Sequence, residues 1–120
     1  MLPKVFPLLA ASSAVTTLIG NNPTRAYRHG DAPQGVKAPY VTWSIAGGAA
    51  ENAFEGACAD QFRVQVDCWS DSDTGVETLA AAVRAALEPA AHLVAYLADE
   101  RDTTTRRYRI SFAFDWWLSR

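Results

Sequence analysis

Three segments of the chain alternate apolar and polar residues with a period of two, and together they hold most of its aromatic side chains. They begin at Ala32, Arg63 and Arg106 and have the sequences APQGVKAPYVTW, RVQVDCW and RRYRISFAFDWW. Successive side chains of a β-strand point to opposite faces of a sheet, so this alternation is typical of strands that bury one face. The rest of the chain must therefore fold around a sheet with one buried face.

The alternation also predicts which side chains point inwards. The predicted inward set is Val41, Trp43, Ile45, Phe62, Val64, Val66, Cys68, Tyr108, Ile110, Phe112, Phe114 and Trp116. Gly47 and Gly48 are predicted to end the first long strand, and the second is predicted over Asp60–Ser70. The range Ala49–Ala59 between them has no clear hydrophobic period, which predicts a long hairpin loop.

Two further strands are predicted outside these segments. A short one runs through Tyr27 and is closed by Gly30, after a turn at Asn21–Pro23. Another begins at His92 in the sequence HLVAYLADE, which alternates less cleanly. Its predicted faces are Leu93, Ala95 and Leu97 on one side and Val94 and Tyr96 on the other.

The helix signals lie at the start of the chain and between the second and third alternating segments. The opening residues predict a broken helix that Gly20 ends. In the later segment, Thr74 and Glu77 have capping-box spacing, and Pro89 marks the end of the helix. The apolar residues at helical spacing between these signals are Val76, Leu79, Val83 and Leu87. That amphipathic helix is expected to cover the buried face of the sheet.

The predicted fold class is α+β, with element order α-β-β-β-α-β-β. It consists of a mainly antiparallel sheet of four to five strands with helices packed on one face. With 120 residues, the chain is expected to form a single domain over 1–120.

Composition excludes several function classes. A formal net charge of -2 argues against binding nucleic acid through many phosphate contacts, because such binding needs clustered Lys and Arg. No run of 18 apolar residues occurs, so no membrane span is predicted. Cys58 and Cys68 are the two cysteines, and Cys68 is in phase with Val64 and Val66, which predicts a buried free thiol.

Motifs for chemistry are missing from the sequence. His29 and His92 lie in no catalytic pattern, and no metal-ligand, P-loop or dinucleotide spacing occurs, so neither a metal nor a cofactor is predicted. The segment DSDTGVE at Asp71–Glu77 lacks the full spacing of a calcium loop and is better explained by helix capping. One alternative stays open: a small cytoplasmic α+β enzyme or ligand-binding domain with a pocket at Tyr27, His29, Asp31 and Trp43.

The polar face of the predicted sheet is unusual because two large aromatic side chains share it. Trp69 and Trp117 are in phase with Arg63, Asp67, Arg109 and Asp115. Mixed aromatic and Arg side chains on one surface are typical of protein interfaces. Two interpretations are open: another subunit covers these tryptophans, or helix or loop residues of the same subunit do.

Six stretches, in order, carry a resemblance to a known family: LLAASSAVTTLIG, HGDAPQGVKAPYVTW, ENAFEG, FRVQVDCWSDS, VETLAAAVRAAL and DERDTTTRRYRISFAFDWW. Over nearly its whole length the chain resembles the tail completion (tail terminator) proteins of long-tailed bacteriophages. The resemblance implies a structural protein in the tail neck of a phage, prophage or gene-transfer particle, assembled in the bacterial cytoplasm.

The resemblance also implies a mode of action. Such proteins form a ring, hexameric in the family, at the head-proximal end of the tail tube, where they end tube polymerisation and join the tail to the head. The implied partners are copies of the chain itself, the tail tube protein and a head-side connector or stopper protein, with DNA passing through the ring without specific binding. Under this hypothesis the chain is not an enzyme. The predicted subunit or tail-tube interface is Glu51, Asn52, Phe54, Glu55, Arg63, Asp67, Trp69, Arg109 and Trp117.

Overall fold

The structure is a computed structural model that describes residues 2–53 and 56–119, with side chains described outside 51–53 and 56–58. Its elements confirm the predicted α+β order, with the opening helix broken in two. In chain order they are α1 (Val5–Ala11), α2 (Ser13–Ile19), β1 (Ala26–Arg28), β2 (Tyr40–Ala53), β3 (Gly56–Ser70), α3 (Asp73–Leu87), β4 (His92–Arg101) and β5 (Tyr108–Ser119).

Among the described residues, five strands form one sheet in the order β1-β2-β3-β5-β4. β2, β3, β5 and β4 pair antiparallel, as predicted, whereas β1 runs parallel to β2, so the sheet is mixed. A parallel pair cannot be joined by a tight hairpin, and here residues 29–39 make the longer connection.

The core lies between the helices and one face of this sheet. The predicted inward residues of β3 and β5 lie opposite one another, for example Val64 with Phe114 and Val66 with Phe112. α3 contributes its predicted apolar residues Val76, Leu79, Val83 and Leu87, all buried. Each such side chain contributes roughly 1.5–3 kcal/mol by leaving water. The packing of α3 on these two strands therefore holds the layers together.

The start of α3 differs from the capping-box prediction. Ser72 is the N-cap, and its side-chain oxygen accepts a hydrogen bond of 3.0 Å from the Gly75 N–H. Thr74 already lies inside the first turn. The capping box at Thr74 and Glu77 is thus wrong, because Ser72, which is extended at φ -130°, is the residue where the chain leaves its extended conformation.

The long loop predicted over Ala49–Ala59 is also wrong, because β2 continues to Ala53 and β3 begins at Gly56. A bulge between Ile45 and Gly47 keeps the strand going through the glycines. A Cβ at Gly48 would lie 2.4 Å from the Gln61 carbonyl oxygen, so this glycine permits a close approach of two strands and does not end one.

β4 departs from the predicted alternation. Two irregularities, between Leu93 and Ala95 and between Tyr96 and Ala98, shift its register against β5. Leu93 and Tyr96 consequently lie opposite Phe114 and Phe112 and share the helix-facing side of the sheet. The predicted opposition of Leu93 and Tyr96 is wrong, because each extra residue of a bulge reverses the phase of those that follow.

Candidate assembly surface

The face of the sheet turned away from the helices brings together the tryptophans and charged residues predicted to share it. Across β3 and β5, Trp69 pairs with Arg109, Asp67 with Ser111 and Arg63 with Asp115. Trp117 lies opposite Gln61 near the other end of β5. These residues form two separate clusters, one around each tryptophan.

The first cluster is a stacked row of four side chains: Arg107, Tyr40, Trp69 and Arg109. The Tyr40 and Trp69 rings are parallel, with centroids 5.8 Å apart. The guanidinium of Arg107 lies 5.3 Å from the Tyr40 centroid, and that of Arg109 lies 5.6 Å from the Trp69 centroid. Cation–π contacts of this kind contribute about 0.5–1 kcal/mol each at exposed sites. Groups of the same subunit therefore pack on both faces of the Trp69 ring.

Hydrogen bonds and ion pairs fix the stacked row further. The Trp69 indole N–H donates to the Thr42 hydroxyl at 3.1 Å. Arg109 forms salt bridges with Glu100 and, at 3.6 Å, with Asp67. Arg107 forms a salt bridge of 3.5 Å with Asp71. The positive charge of both arginines is thus offset locally, which leaves little for a nucleic-acid phosphate to recognise.

The second cluster, here called the hairpin-base patch, consists of Gln61, Arg63, Asp115 and Trp117. One Asp115 carboxylate oxygen accepts hydrogen bonds from Arg63 Nε at 2.6 Å and from Gln61 Nε2 at 2.8 Å. The hydrogen bond to Asp115 raises the pKa of the Arg63 guanidinium. Trp117 is 51% exposed beside this ion pair. The patch combines an aromatic ring with an Arg side chain paired to a carboxylate, and aromatic and Arg side chains are enriched at protein interfaces.

The hairpin-base patch lies where the β2–β3 hairpin leaves the sheet. β5 ends at Ser119, which pairs with Ala59, whereas β2 and β3 continue to pair as far as Ala53 and Gly56. Glu51 and Asn52 therefore lie in a strand and not in a loop, opposite Ala59 and Ala57. Phe54 and Glu55, also predicted at the interface, fall outside the described residues.

Of the four residues of the alternative pocket, His29 and Trp43 are joined by a backbone hydrogen bond of 2.8 Å from the His29 N–H to the Trp43 carbonyl, but the four do not line one cavity. A cavity of about 500 Å³ lies between residues 30–36 and the stacked row, and its lining includes Trp43 but not Tyr27, His29 or Asp31. His29 follows β1 and His92 begins β4, so the histidines stand at opposite edges of the sheet. Neither histidine nor cysteine lines this cavity, and the acid–base partners that a nucleophilic mechanism needs are not assembled there.

The described part of the chain contains no metal-binding cluster. Its fold brings together no group of three or more His, Cys, Asp or Glu side chains able to hold a metal ion. Cys68 is a free, buried thiol, as predicted, and desolvation, followed by the nearby Asp67 charge, raises its pKa. A thiol held protonated in this way is a poor nucleophile. Of the described helices, none is long and apolar enough to cross a membrane.

The fold is α+β, and its outer sheet face carries aromatic side chains beside paired Arg and Asp residues. The family model of the tail completion protein gp17 matches residues 3–119. The chain therefore belongs to the tail completion protein family, and it is a structural component of the virion tail.

The fold is also found in a solved particle. The chain is similar to a chain in the structure described as the virion of a native gene transfer agent (GTA) particle, with a TM-score of 0.71 at 21% sequence identity. The match covers 97% of this chain and 92% of that one. No curated protein matches the chain.

Proposed function

We propose that the protein is a tail terminator: a ring of identical subunits, six by family resemblance, at the head-proximal end of the tail tube. The ring ends polymerisation of the tube protein and presents a surface to the head-side connector or stopper protein. It acts by assembly, without a cofactor and without making or breaking a covalent bond. The observation that carries the proposal is the β2–β3 hairpin, which extends past the end of β5 with the hairpin-base patch at its root.

A projecting hairpin of this kind is suited to contact another protein. A two-stranded ribbon is marginally stable by itself in water, so its stability gains from a partner. The segment's sequence is rich in alanine, which permits close approach. Half-exposed Trp117 would supply a large aromatic contact at the hairpin's root, where Arg63 and Asp115 add charge of both signs. We propose that this region contacts a neighbouring subunit or the tail tube.

The charge of the chain suits a ring through which DNA slides. A net charge of -2 gives no general attraction for phosphate, and Arg109 is already paired with carboxylates. The family name and the fold shared with a chain of a gene transfer agent virion support a place in such a particle.

The test replaces residues 51–58 with Gly and Ser at unchanged length and follows tail length by electron microscopy. We expect a folded protein that no longer caps tubes, so that tails grow overlong and do not join heads. The control carries Gly and Ser at 103–104, in the exposed turn at the opposite end of the sheet. Normal tail length and infectivity with the hairpin variant would refute the proposed contact.

A further inference from the structure

The helix layer of the subunit stops one strand short of the sheet. α3 packs over β3 and β5, α2 packs over β2, and α1 lies beside β1. β4, at the far edge, extends beyond the flank of α3 and contacts mainly β5. An open groove of about 690 Å³ therefore lies over β4, with one wall from α3 and a floor from β4 and β5.

This groove has an apolar part and a charged part, and the Arg84 guanidinium on its wall donates a hydrogen bond of 2.8 Å to the Tyr96 hydroxyl on its floor. Its wall carries the small side chains Ala80 and Ala81, and Leu97 at its floor is 49% exposed. Tyr96, which also lines the groove, is exposed as well, and so is Val94, which lies on the same strand outside the lining. Apolar groups concentrated in this way mark a surface that another protein covers.

The opposite edge of the same subunit carries a helix with an uncovered flank. α1 buries Val5 and Leu9 against the core, while Phe6, which is 41% exposed, and Pro7 point away from it. Seven helical residues span about 10 Å, and a helix is about 10 Å across, so α1 is a short element whose size can be compared with the groove volume of about 690 Å³. α1 packs on α2 and α3 and also contacts β1, whereas the groove lies at β4, the opposite edge of the sheet, so the two features are separate patches of one subunit.

Charge also matches the two surfaces. Lys4, at the N-cap of α1, is exposed, and Glu77 and Asp99 line one end of the groove. None of the three takes part in a salt bridge within the described part of the chain. A helix laid in the groove with Lys4 towards these acids would pair all three charges.

We propose that α1 of a second copy fills the groove over β4, so that each subunit completes the helix layer of the next. The contact joins two different patches, which makes it head-to-tail, the kind that closes into a ring when the rotation permits. This inference rests on the proposed ring function and names the surfaces through which neighbouring subunits of that ring would touch. It leaves the β2–β3 hairpin available to the tail tube.

Crosslinking between engineered cysteines tests the contact. Phe6→Cys and Leu97→Cys are made separately and together in a Cys58→Ser background. Cys68 is kept because it is buried, and the Cys58→Ser protein without added cysteines shows whether it contributes any crosslink. A short bismaleimide is used because a direct disulfide would need Cα atoms within about 7 Å. We expect the mixed single variants to give covalent dimers and the double variant to give a ladder of oligomers. Both purified protein and assembled tails are treated.

Controls separate this contact from others. In the first control, the Phe6→Cys protein is mixed with a Gln34→Cys variant, whose cysteine stands at an exposed site in the loop after β1. This pair should give no crosslink. Lys4→Glu should weaken the ladder, and Asp99→Lys in the same chain should restore it. Self-crosslinking of Leu97→Cys alone would mean a twofold contact, and crosslinking to the tail tube protein would mean a different occupant; either result overturns the inference.

Crosslinking and tail capping are scored separately, so failure of this subunit contact can be told apart from failure of the terminator role. Capped tails without a Phe6–Leu97 crosslink, in either preparation, would reject this contact and leave the ring function standing. A ladder of oligomers with uncapped tails would support the contact and reject the terminator role.

Discussion

Trp116 and Trp117 are adjacent in β5, yet they face opposite sides of the sheet, which makes them a matched pair for mutation to alanine. Trp116 is 3% exposed in the core, opposite Phe62, whereas Trp117 is 51% exposed, opposite Gln61. Burying an aromatic side chain removes about 150–250 Å² from water, worth roughly 4–6 kcal/mol at 25 cal/mol per Å². Since half of Trp117 remains in water, its contribution is about half as large, with an upper bound of roughly 2–3 kcal/mol.

We therefore expect Trp116→Ala to lower the free energy of unfolding by about 3–5 kcal/mol and Trp117→Ala by less than half of that. In urea, with a slope of about 2 kcal/mol per M, the first variant should shift the unfolding midpoint by roughly 2 M. If Trp116→Ala does not fold, Trp116→Phe should give an intermediate loss.

In tail capping, we expect the substitution of exposed Trp117 to act directly on assembly, whereas that of buried Trp116 acts on stability. Trp117→Ala is expected to leave a folded protein with impaired capping of tail tubes, because it removes the exposed aromatic contact of the hairpin-base patch. Equal destabilisation by the two alanine variants would show that the assigned faces of β5 are wrong. Normal capping by Trp117→Ala would remove that residue from the interface.

Two further predictions concern α3 and the core thiol. Ser72→Ala should cost about 1 kcal/mol by leaving the Gly75 N–H without its cap, whereas Thr74→Ala should cost clearly less; equal losses in urea titrations would contradict the cap assignment. Because the pKa of Cys68 is raised on folding, the folded state holds that proton more tightly, and stability should fall as pH rises above the ordinary thiol value of about 8.5. In a Cys58→Ser background, Cys68→Ala should reduce this loss of stability at alkaline pH. In the same background, iodoacetamide should label Cys68 only when the protein unfolds, and rapid labelling of the native protein would disprove its burial.

The core was predictable from sequence because its signals are local and periodic. Val64 and Val66 in β3 alternate with polar neighbours, and Leu79 and Val83 repeat at helical spacing, so each element indicates its own buried side. Burial of these residues follows from the hydrophobic effect whatever the topology. Trp69 and Trp117 were likewise placed on the polar face by phase alone.

The errors arose where local signals were ambiguous. Glycine is permitted in a turn and in a bulged strand alike, so Gly47 and Gly48 did not show that β2 continues. Ser72 and Thr74 are both good caps, and only the path of the chain out of β3 selects Ser72. Tyr40 and Arg107 gave no sequence signal for the stacked row, because the register of three strands and a loop brings them together.

The sequence by itself determined which residues of α3, β3 and β5 are buried, the order of helices and strands, and the two-faced character of β3 and β5, since these depend on hydrophobic spacing along the chain. Tertiary structure decided the strand order, the parallel pairing of β1, the projecting hairpin and the edge strand beyond the helix layer. These features depend on which segments meet across long sequence separations. Hydrophobic periodicity fixes which face of a strand is buried, but it does not specify which strand lies beside it.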